Sequence, residues 1–192
     1  MLYINTHPAD LDTDEALARV SAQRRRHAMQ FVKEHDRKLS IAAYLLLLEA
    51  LEKEYGITQA PEFSFGPHGK PFLKDYPHIH FNLSHCSAAA LCIVSDRPVG
   101  CDIETVESPL DMDLCRYCCS PAEVDAILKA PSPPLAFYGL WTRKEAFLKL
   151  SGEGLSDNLP GLLETDEADR AIFDTRIGPD ASFVYTVCSL KK

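Results

Sequence analysis

Three short stretches of this 192-residue chain combine residue types able to do chemistry. The first is Cys101-Asp102-Ile103-Glu104. In a strand, residues i and i+2 share a face, so Asp102 and Glu104 project side by side while Ile103 turns inward. Two such carboxylates repel, and a divalent cation relieves them. Mg2+ in particular accepts one or two carboxylates together with substrate phosphates. The same pattern is read equally well as an exposed acidic strand face. The second stretch is Trp141-Thr142-Arg143-Lys144-Glu145-Ala146-Phe147-Leu148-Lys149, in which Trp141, Glu145 and Lys149 line one helix face. An ion pair from Glu145 to Lys149, or a Thr142-x-x-Glu145 capping box, accounts for Glu145 without function. Neither accounts for the single Trp beside it. The third is Asn82-Leu83-Ser84-His85, where a strand runs into a polar corner. Adjacent residues on an extended chain point apart, so anion binding by Ser84 and His85 fits better than a nucleophile–base pair.

These residues must be held by ordinary globular elements. The chain is 46% hydrophobic and 25% charged, which excludes disordered and fibrous classes. Its net charge of −8 argues against general nucleic-acid or membrane-surface binding. The longest apolar run, Ile41–Leu48, is too short to span a bilayer, and Met1–Asp10 lacks the pattern of a signal peptide. A cytoplasmic protein is expected. Seven cysteines without an export signal should remain thiols. Cys115-x-x-Cys118-Cys119 has metal-like spacing but no second pair, so buried packing is favoured over structural zinc. Residues 1–98 carry a net charge of −1 and residues 99–192 a net −7, yet Arg19–Lys38 gathers seven basic residues against Glu34 and Asp36. That stretch is either a solvated helix face or a dock for a small polyanion.

The pattern predicts a strand at Leu2–Asn5, then a helix opened by Asp12-x-x-Glu15 and continuing through the basic stretch. A second helix covers Arg37–Tyr55 and stops at Gly56. A hairpin-like excursion over Phe63–Leu73 turns at Gly66-Pro67-His68-Gly69, and strands follow at His78–Leu83, Ala88–Ser95 and Val99–Glu104. Ser120-Pro121-Ala122-Glu123 starts a helix, and a longer one runs from the Pro131–Pro134 break to about Ser151, with Gly152 as its stop. Ala171–Ile177 and Ser182–Leu190 close the chain as a hairpin. The expected class is α+β: two similar subdomains, 1–98 and 99–192, each with a small, mostly antiparallel sheet packed on helices.

The text Gly69-Lys70-Pro71, Phe81-Asn82-Leu83-Ser84-His85, Val99-Gly100-Cys101-Asp102-Ile103-Glu104, Trp141–Lys149 and Gly152-Glu153-Gly154-Leu155, in this order, resembles the 4′-phosphopantetheinyl transferase superfamily, Sfp-type. The resemblance covers about residues 20–160. It implies a pseudo-twofold fold with coenzyme A as the substrate in the cleft between the halves. It also implies Mg2+ on Asp102, Glu104 and Glu145, and a Lys149 that faces the pyrophosphate. Ser84 and His85 would contact phosphate, Lys70 would lie near the adenine, and Arg24, His27 and Ser40 would receive the 3′-phosphate. The implied reaction is attack by a serine hydroxyl of an apo acyl or peptidyl carrier protein on the β-phosphate, releasing 3′,5′-ADP. Glu145 would act as base directly or through a water, with Lys149 and His85 assisting. Trp141 would pack and position its helix. A monomer is expected. Two other functions compete: a non-catalytic coenzyme A or nucleotide-binding module leaves the three carboxylates idle, and a Mg2+-dependent phosphohydrolase leaves Lys70 and Arg24 idle.

Overall fold

The computed structural model describes residues 1–154 and 158–191. Strand β1 (Leu2–Asn5) is followed by two short helices, α1 (Thr13–Arg19) and α2 (Ala22–Ala28), and then by the long helix α3 (Glu34–Tyr55). The hairpin β2 (Phe63–Phe65) and β3 (Pro71–Leu73) leads to β4 (His80–His85) and β5 (Ala90–Ser95). After the turn at residues 96–98 come β6 (Val99–Thr105), α4 (Met112–Cys118), α5 (Pro121–Lys129) and the second long helix, α6 (Pro133–Ser151). Strands β7 (Ala171–Ile177) and β8 (Phe183–Leu190) complete the chain.

The two halves share one topology. Both sheets are antiparallel and three-stranded, ordered β1-β5-β4 and β6-β8-β7. In each, the first strand of the half lies against the last, and the penultimate strand covers the other side. Two short helices and one long helix intervene between the first strand and the other two in both halves. The β2–β3 hairpin is an addition to the first half. This is the pseudo-twofold α+β architecture that the resemblance implies.

Local chemistry explains the boundaries. The α3 helix ends where Gly56 adopts φ 69°, and α6 ends where Gly152 adopts φ 74°, the left-handed region that glycine enters without strain. Ser120 and Glu123 form a reciprocal capping box, with Pro121 at the first position of α5. The single helix expected from Asp12 through the basic stretch is instead two. Val20 and Ser21 are extended, and the Ser21 hydroxyl accepts from the Arg24 N–H to start α2. Asp12 caps α1 through the N–H groups of Asp14 and Glu15. Helix α4, capped by Asp111, was not expected, because its seven residues have no clear apolar period.

Helix α3 packs Leu47, Ala50 and Leu51 on the first sheet, and α6 packs Phe137, Ala146 and Leu150 on the second. A third cluster joins the sheets themselves: Leu91 and Ile93 of β5, Val99, Cys101 and Ile103 of β6, and Phe183 and Tyr185 of β8. Each fully buried side chain of this size contributes roughly 1.5–3 kcal/mol, so the seam is a packed core rather than a flexible joint. All seven cysteines are buried free thiols, and Cys115, Cys118 and Cys119 pack with Ile127 and Phe137. Among the described residues, no helix is long and apolar enough to cross a membrane.

Candidate active site

On its polar side, the seam brings together the edge strand of one sheet and the edge strand of the other. β4 presents Asn82 and Ser84 on one face, and both reach β6. Asn82 Oδ1 accepts from the Cys101 N–H at 2.9 Å, and Ser84 Oγ donates to Asp102 Oδ1 at 2.8 Å. Lys149 of α6 completes the junction, donating to Asp102 Oδ1 at 2.5 Å and to Ser84 Oγ at 3.0 Å. The ion pair of Lys149 is therefore with Asp102, not the Glu145 pair that helix spacing suggests. Thr142 likewise caps nothing: it sits inside α6 and bonds Thr186 Oγ1 at 2.8 Å. Trp141 donates from Nε1 to Glu104 Oε1 at 3.2 Å, so the single Trp ties the carboxylate strand to the helix.

The strand does not expose its acidic face to solvent. Asp102 is 3% exposed, and Ile103 is buried on the opposite side. Burial, together with repulsion from Asp102, pushes the Glu104 carboxyl up to about 7. Burial and Asp102 also push Glu145 up. Burial alone would lower Lys149, but the Asp102 carboxylate outweighs it and holds the ammonium protonated. Asp102 Oδ2 is buried and finds no hydrogen-bond partner among the described residues. A buried anionic oxygen without a partner is costly, and a hard cation is the species that relieves it. Among the described residues, no group of three or more His, Cys, Asp or Glu side chains is arranged to hold a metal ion by itself. Asp102, Glu104 and Glu145 stand close enough for their carboxylates to repel one another. Oxygen donors of this kind suit Mg2+, an ion that takes one or two carboxylates together with waters and substrate phosphates.

A raised carboxyl pKa in the folded state carries a sign. Its stability contribution is complete below the ordinary value near 4.5 and is lost as pH rises through about 7. In metal-free protein, thermal melting should fall across this window more steeply for wild type than for Glu104→Gln. Parallel melting curves for the two would refute the buried, repelled state of Glu104.

One cavity borders this junction through Asn82, Glu145 and Lys149, and a second adjoins the first. One, about 330 Å3, is lined by Lys70, Pro71, Asn82, Leu83, Glu145, Leu148, Lys149 and Gly152, and so draws on both halves. The other, about 280 Å3, is lined by Arg24, His27, Ser40, Tyr44, His85, Pro71 and Leu83. They share Pro71 and Leu83. Arg24, His27 and Ser40, separated in sequence, therefore do meet, with His85 opposite. Arg24 Nη2 donates to Ser40 Oγ at 2.6 Å and to Ser40 O at 2.5 Å, and its guanidinium stands over the Tyr44 ring. Arg24 Nε is buried and finds no partner among the described residues. Burial lowers Arg24 to about 10, which leaves it cationic at neutral pH. Burial and Arg24 lower His27, while burial, Arg24 and Lys149 lower His85. Both imidazoles are thus neutral hydrogen-bonding groups at neutral pH, and Arg24 is the cation of this cavity.

Lys70 lines the first cavity, but its ammonium is turned onto the carbonyls of Leu150 at 3.0 Å and Val99 at 3.4 Å, strapping the β2–β3 hairpin to the second half. Of the Gly152–Leu155 stretch, Gly152 and Gly154 line this cavity, and Leu155 lies outside the described residues. Lys144 was not singled out from sequence. It is fully buried and donates to Glu123 Oε2 at 2.7 Å, Cys118 O at 2.8 Å and Leu159 O at 2.9 Å. It anchors α4 and α5 to α6, next to Glu145. Only its adjacency to Glu145 could have drawn attention to it.

A family model described as the 4′-phosphopantetheinyl transferase superfamily matches residues 98–189, and one described as the 4′-phosphopantetheinyl transferase N-terminal region matches residues 6–96. The chain belongs to this superfamily and is of the Sfp type. It is 36% identical over 149 residues to a 4′-phosphopantetheinyl transferase of Bacillus subtilis, covering 76% of this chain and 66% of that one. It is 26% identical over 158 residues to 4′-phosphopantetheinyl transferase Sfp of Bacillus subtilis strain 168, covering 81% and 70%. With 4′-phosphopantetheinyl transferase gsp of Aneurinibacillus migulanus it shares 31% identity over 139 residues, covering 71% and 57%. The chain spans between 57% and 70% of the length of these curated relatives.

Proposed function

We propose that this protein transfers the 4′-phosphopantetheine group of coenzyme A to a serine hydroxyl of an apo acyl or peptidyl carrier protein. The observation that carries the proposal is the meeting of the Asp102–Glu104 strand with the Glu145–Lys149 helix at a cleft that continues into the Arg24 cavity. A nucleotide-binding module has no use for the first feature, and a simple phosphohydrolase has no use for the second. In this reading, residues 1–98 hold the nucleotide, and residues 99–192 supply the carboxylates and the catalytic helix. Seven buried, unpaired thiols fit a reducing compartment, and we read the protein as a cytoplasmic monomer.

The serine oxygen forms a bond to the β-phosphorus of coenzyme A, the bond from that phosphorus to the bridging oxygen breaks, and 3′,5′-ADP departs. Glu145 accepts the serine proton, directly or through a water. Lys149, held protonated by Asp102, faces the negative charge that grows on the leaving phosphate. Mg2+, when held by Asp102, Glu104 and Glu145, would supply charge neutralisation at the pyrophosphate oxygens. Ser84 orients Asp102 from across the seam, and Trp141 does the same for Glu104. His85, neutral, donates a hydrogen bond to phosphate, and Arg24 with His27 and Ser40 receives the 3′-phosphate.

Coenzyme A should bind more tightly than dephospho-coenzyme A, and the gap should shrink in Arg24→Ala. The two ligands differ only in the 3′-phosphate, and a charge-assisted hydrogen bond is worth roughly 1.5–3 kcal/mol. Calorimetry at rising salt should show partial erosion, because Arg24 is largely buried and only its exposed cationic neighbours are strongly screened. Equal affinities in the wild type would remove the 3′-phosphate from the Arg24 cavity.

A further inference from the structure

Strands β4 and β6 each lie at the edge of their own sheet, and those two edges face each other across the seam. Side chains, rather than a backbone ladder, join them. Lys70 Nζ reaches Val99 O at 3.4 Å, and Asn82 Oδ1 takes the Cys101 N–H at 2.9 Å. Ser84 Oγ meets Asp102 Oδ1 at 2.8 Å, and Ser87 Oγ meets Thr105 Oγ1 at 2.7 Å. Ser87 and Thr105 pair at the exposed end, and the Lys70 bond is the longest of the set. The Asn82 bond differs from both. It grips the main chain at the residue preceding Asp102, and its ends are buried, Asn82 at 6% and Cys101 at 0% exposed. The Cys101 thiol returns the contact, donating to Asn82 O at 3.5 Å.

This bond bears on where the Asp102 carboxylate stands. Asn82 and Ser84 are two residues apart on one face of β4, and their partners are consecutive in β6. A change in strand spacing at the first contact is therefore passed to the second. Ser84 Oγ also receives the Lys149 ammonium at 3.0 Å, so Ser84, Asp102 and Lys149 close a triangle only at that spacing. N–H···O bonds span only about 2.7–3.2 Å, which leaves little room for drift. Without the Asn82 acceptor, the Cys101 N–H would be buried and unpaired, a costly state that strand displacement or an invading water relieves. We infer that Asn82 is a positioning residue: it sets the spacing of β4 and β6 at which Asp102 meets Ser84 and Lys149. This rests on the transferase reading above and adds to it a residue that acts through others.

A cycle of Asn82→Leu, Ser84→Ala and the double variant tests this, with turnover corrected for the folded fraction. Leucine keeps the size and shape of asparagine and removes the acceptor for the Cys101 N–H. Asn82→Leu should lower turnover about a hundredfold, the order of loss that a misplaced group produces. The double variant should fall no more than about threefold below the slower single variant, because both changes break the same placement. Urea unfolding of the same proteins, without metal or coenzyme A, reads the coupling independently of activity. There the double variant's loss in folding constant should be at least about threefold smaller than the product of the single losses. Val94→Ala, which trims the α3-facing core of the same sheet, should lose stability and keep its turnover per folded molecule. Turnover losses that multiply, or stability losses that do, make Asn82 independent of Ser84 and overturn the inference. Wild-type turnover in folded Asn82→Leu overturns it as well, and an equal turnover loss in Val94→Ala ties the effect to stability alone and does the same. Should Asn82→Leu not fold, Asn82→Ala takes its place in the cycle with the same expected outcomes. No transfer by wild type to any carrier would instead contradict the transferase reading, and the urea cycle would still decide the coupling of Asn82 to Ser84.

Discussion

Glu145→Gln should lower transfer turnover by at least a hundredfold while leaving the melting temperature equal or slightly higher. The two halves of this expectation have separate causes. Glutamine is isosteric but cannot accept the serine proton and is a weaker ligand for a hard cation. Loss of a general base alone costs typically 10²–10⁴-fold. Stability should not suffer, because Glu145 is half-buried near Asp102 and its charged form is disfavoured there. Removing that charge relieves the folded state. A variant that retains near wild-type turnover at saturating Mg2+ would remove Glu145 from the chemistry. One that simply unfolds would give it a structural role instead.

Gly100→Ala should destabilise the fold by about 3 kcal/mol and depress transfer with it. Gly100 lies in β6 where the strand backbone meets the backbone of α6. A Cβ there would stand 2.1 Å from the Ala146 carbonyl oxygen and 2.5 Å from the Leu150 nitrogen. These are main-chain atoms inside a helix and cannot step aside as a flexible side chain would. Overpacking of this kind typically costs 1–3 kcal/mol, and the alternative is displacement of α6 from β6. That displacement would part Asp102 and Glu104 from Glu145 and Lys149, whose juxtaposition is the proposed site. Urea denaturation and turnover measured on the same preparation should therefore fall together. Wild-type stability in Gly100→Ala would mean that the strand and helix are not in backbone contact.

Much of this was legible in the sequence because the signals are local. Glycines at 56 and 152, the Ser120–Glu123 box and the alternation of the strands mark where elements stop and start, and each is decided within a few residues. The three carboxylates and Lys149 were legible as residue types at spacings set by strand and helix periods. The partnerships were not. Ser84 bonds Asp102 across 18 residues, and Lys149 reaches Asp102 across 47, where helix spacing alone pointed to Glu145. The neutral state of His27 and His85 follows from burial beside Arg24, which spacing does not reveal. Lys144 reads as one more charged residue of a helix until the structure surrounds it with carbonyls. The break at Ser21 had a cap residue to announce it, but the run of arginines that follows favours one continuous helix.

The most direct test of the proposed transfer is intact-mass spectrometry of an apo carrier protein incubated with this protein, coenzyme A and Mg2+. The carrier should gain the mass of one phosphopantetheine group, and one equivalent of 3′,5′-ADP should appear. Both should vanish with chelator, or when the acceptor serine of the carrier is replaced by alanine. Hydrolysis of coenzyme A with no mass change on any acyl or peptidyl carrier tested, while coenzyme A still binds, would contradict the transferase reading and return the site to a phosphohydrolase.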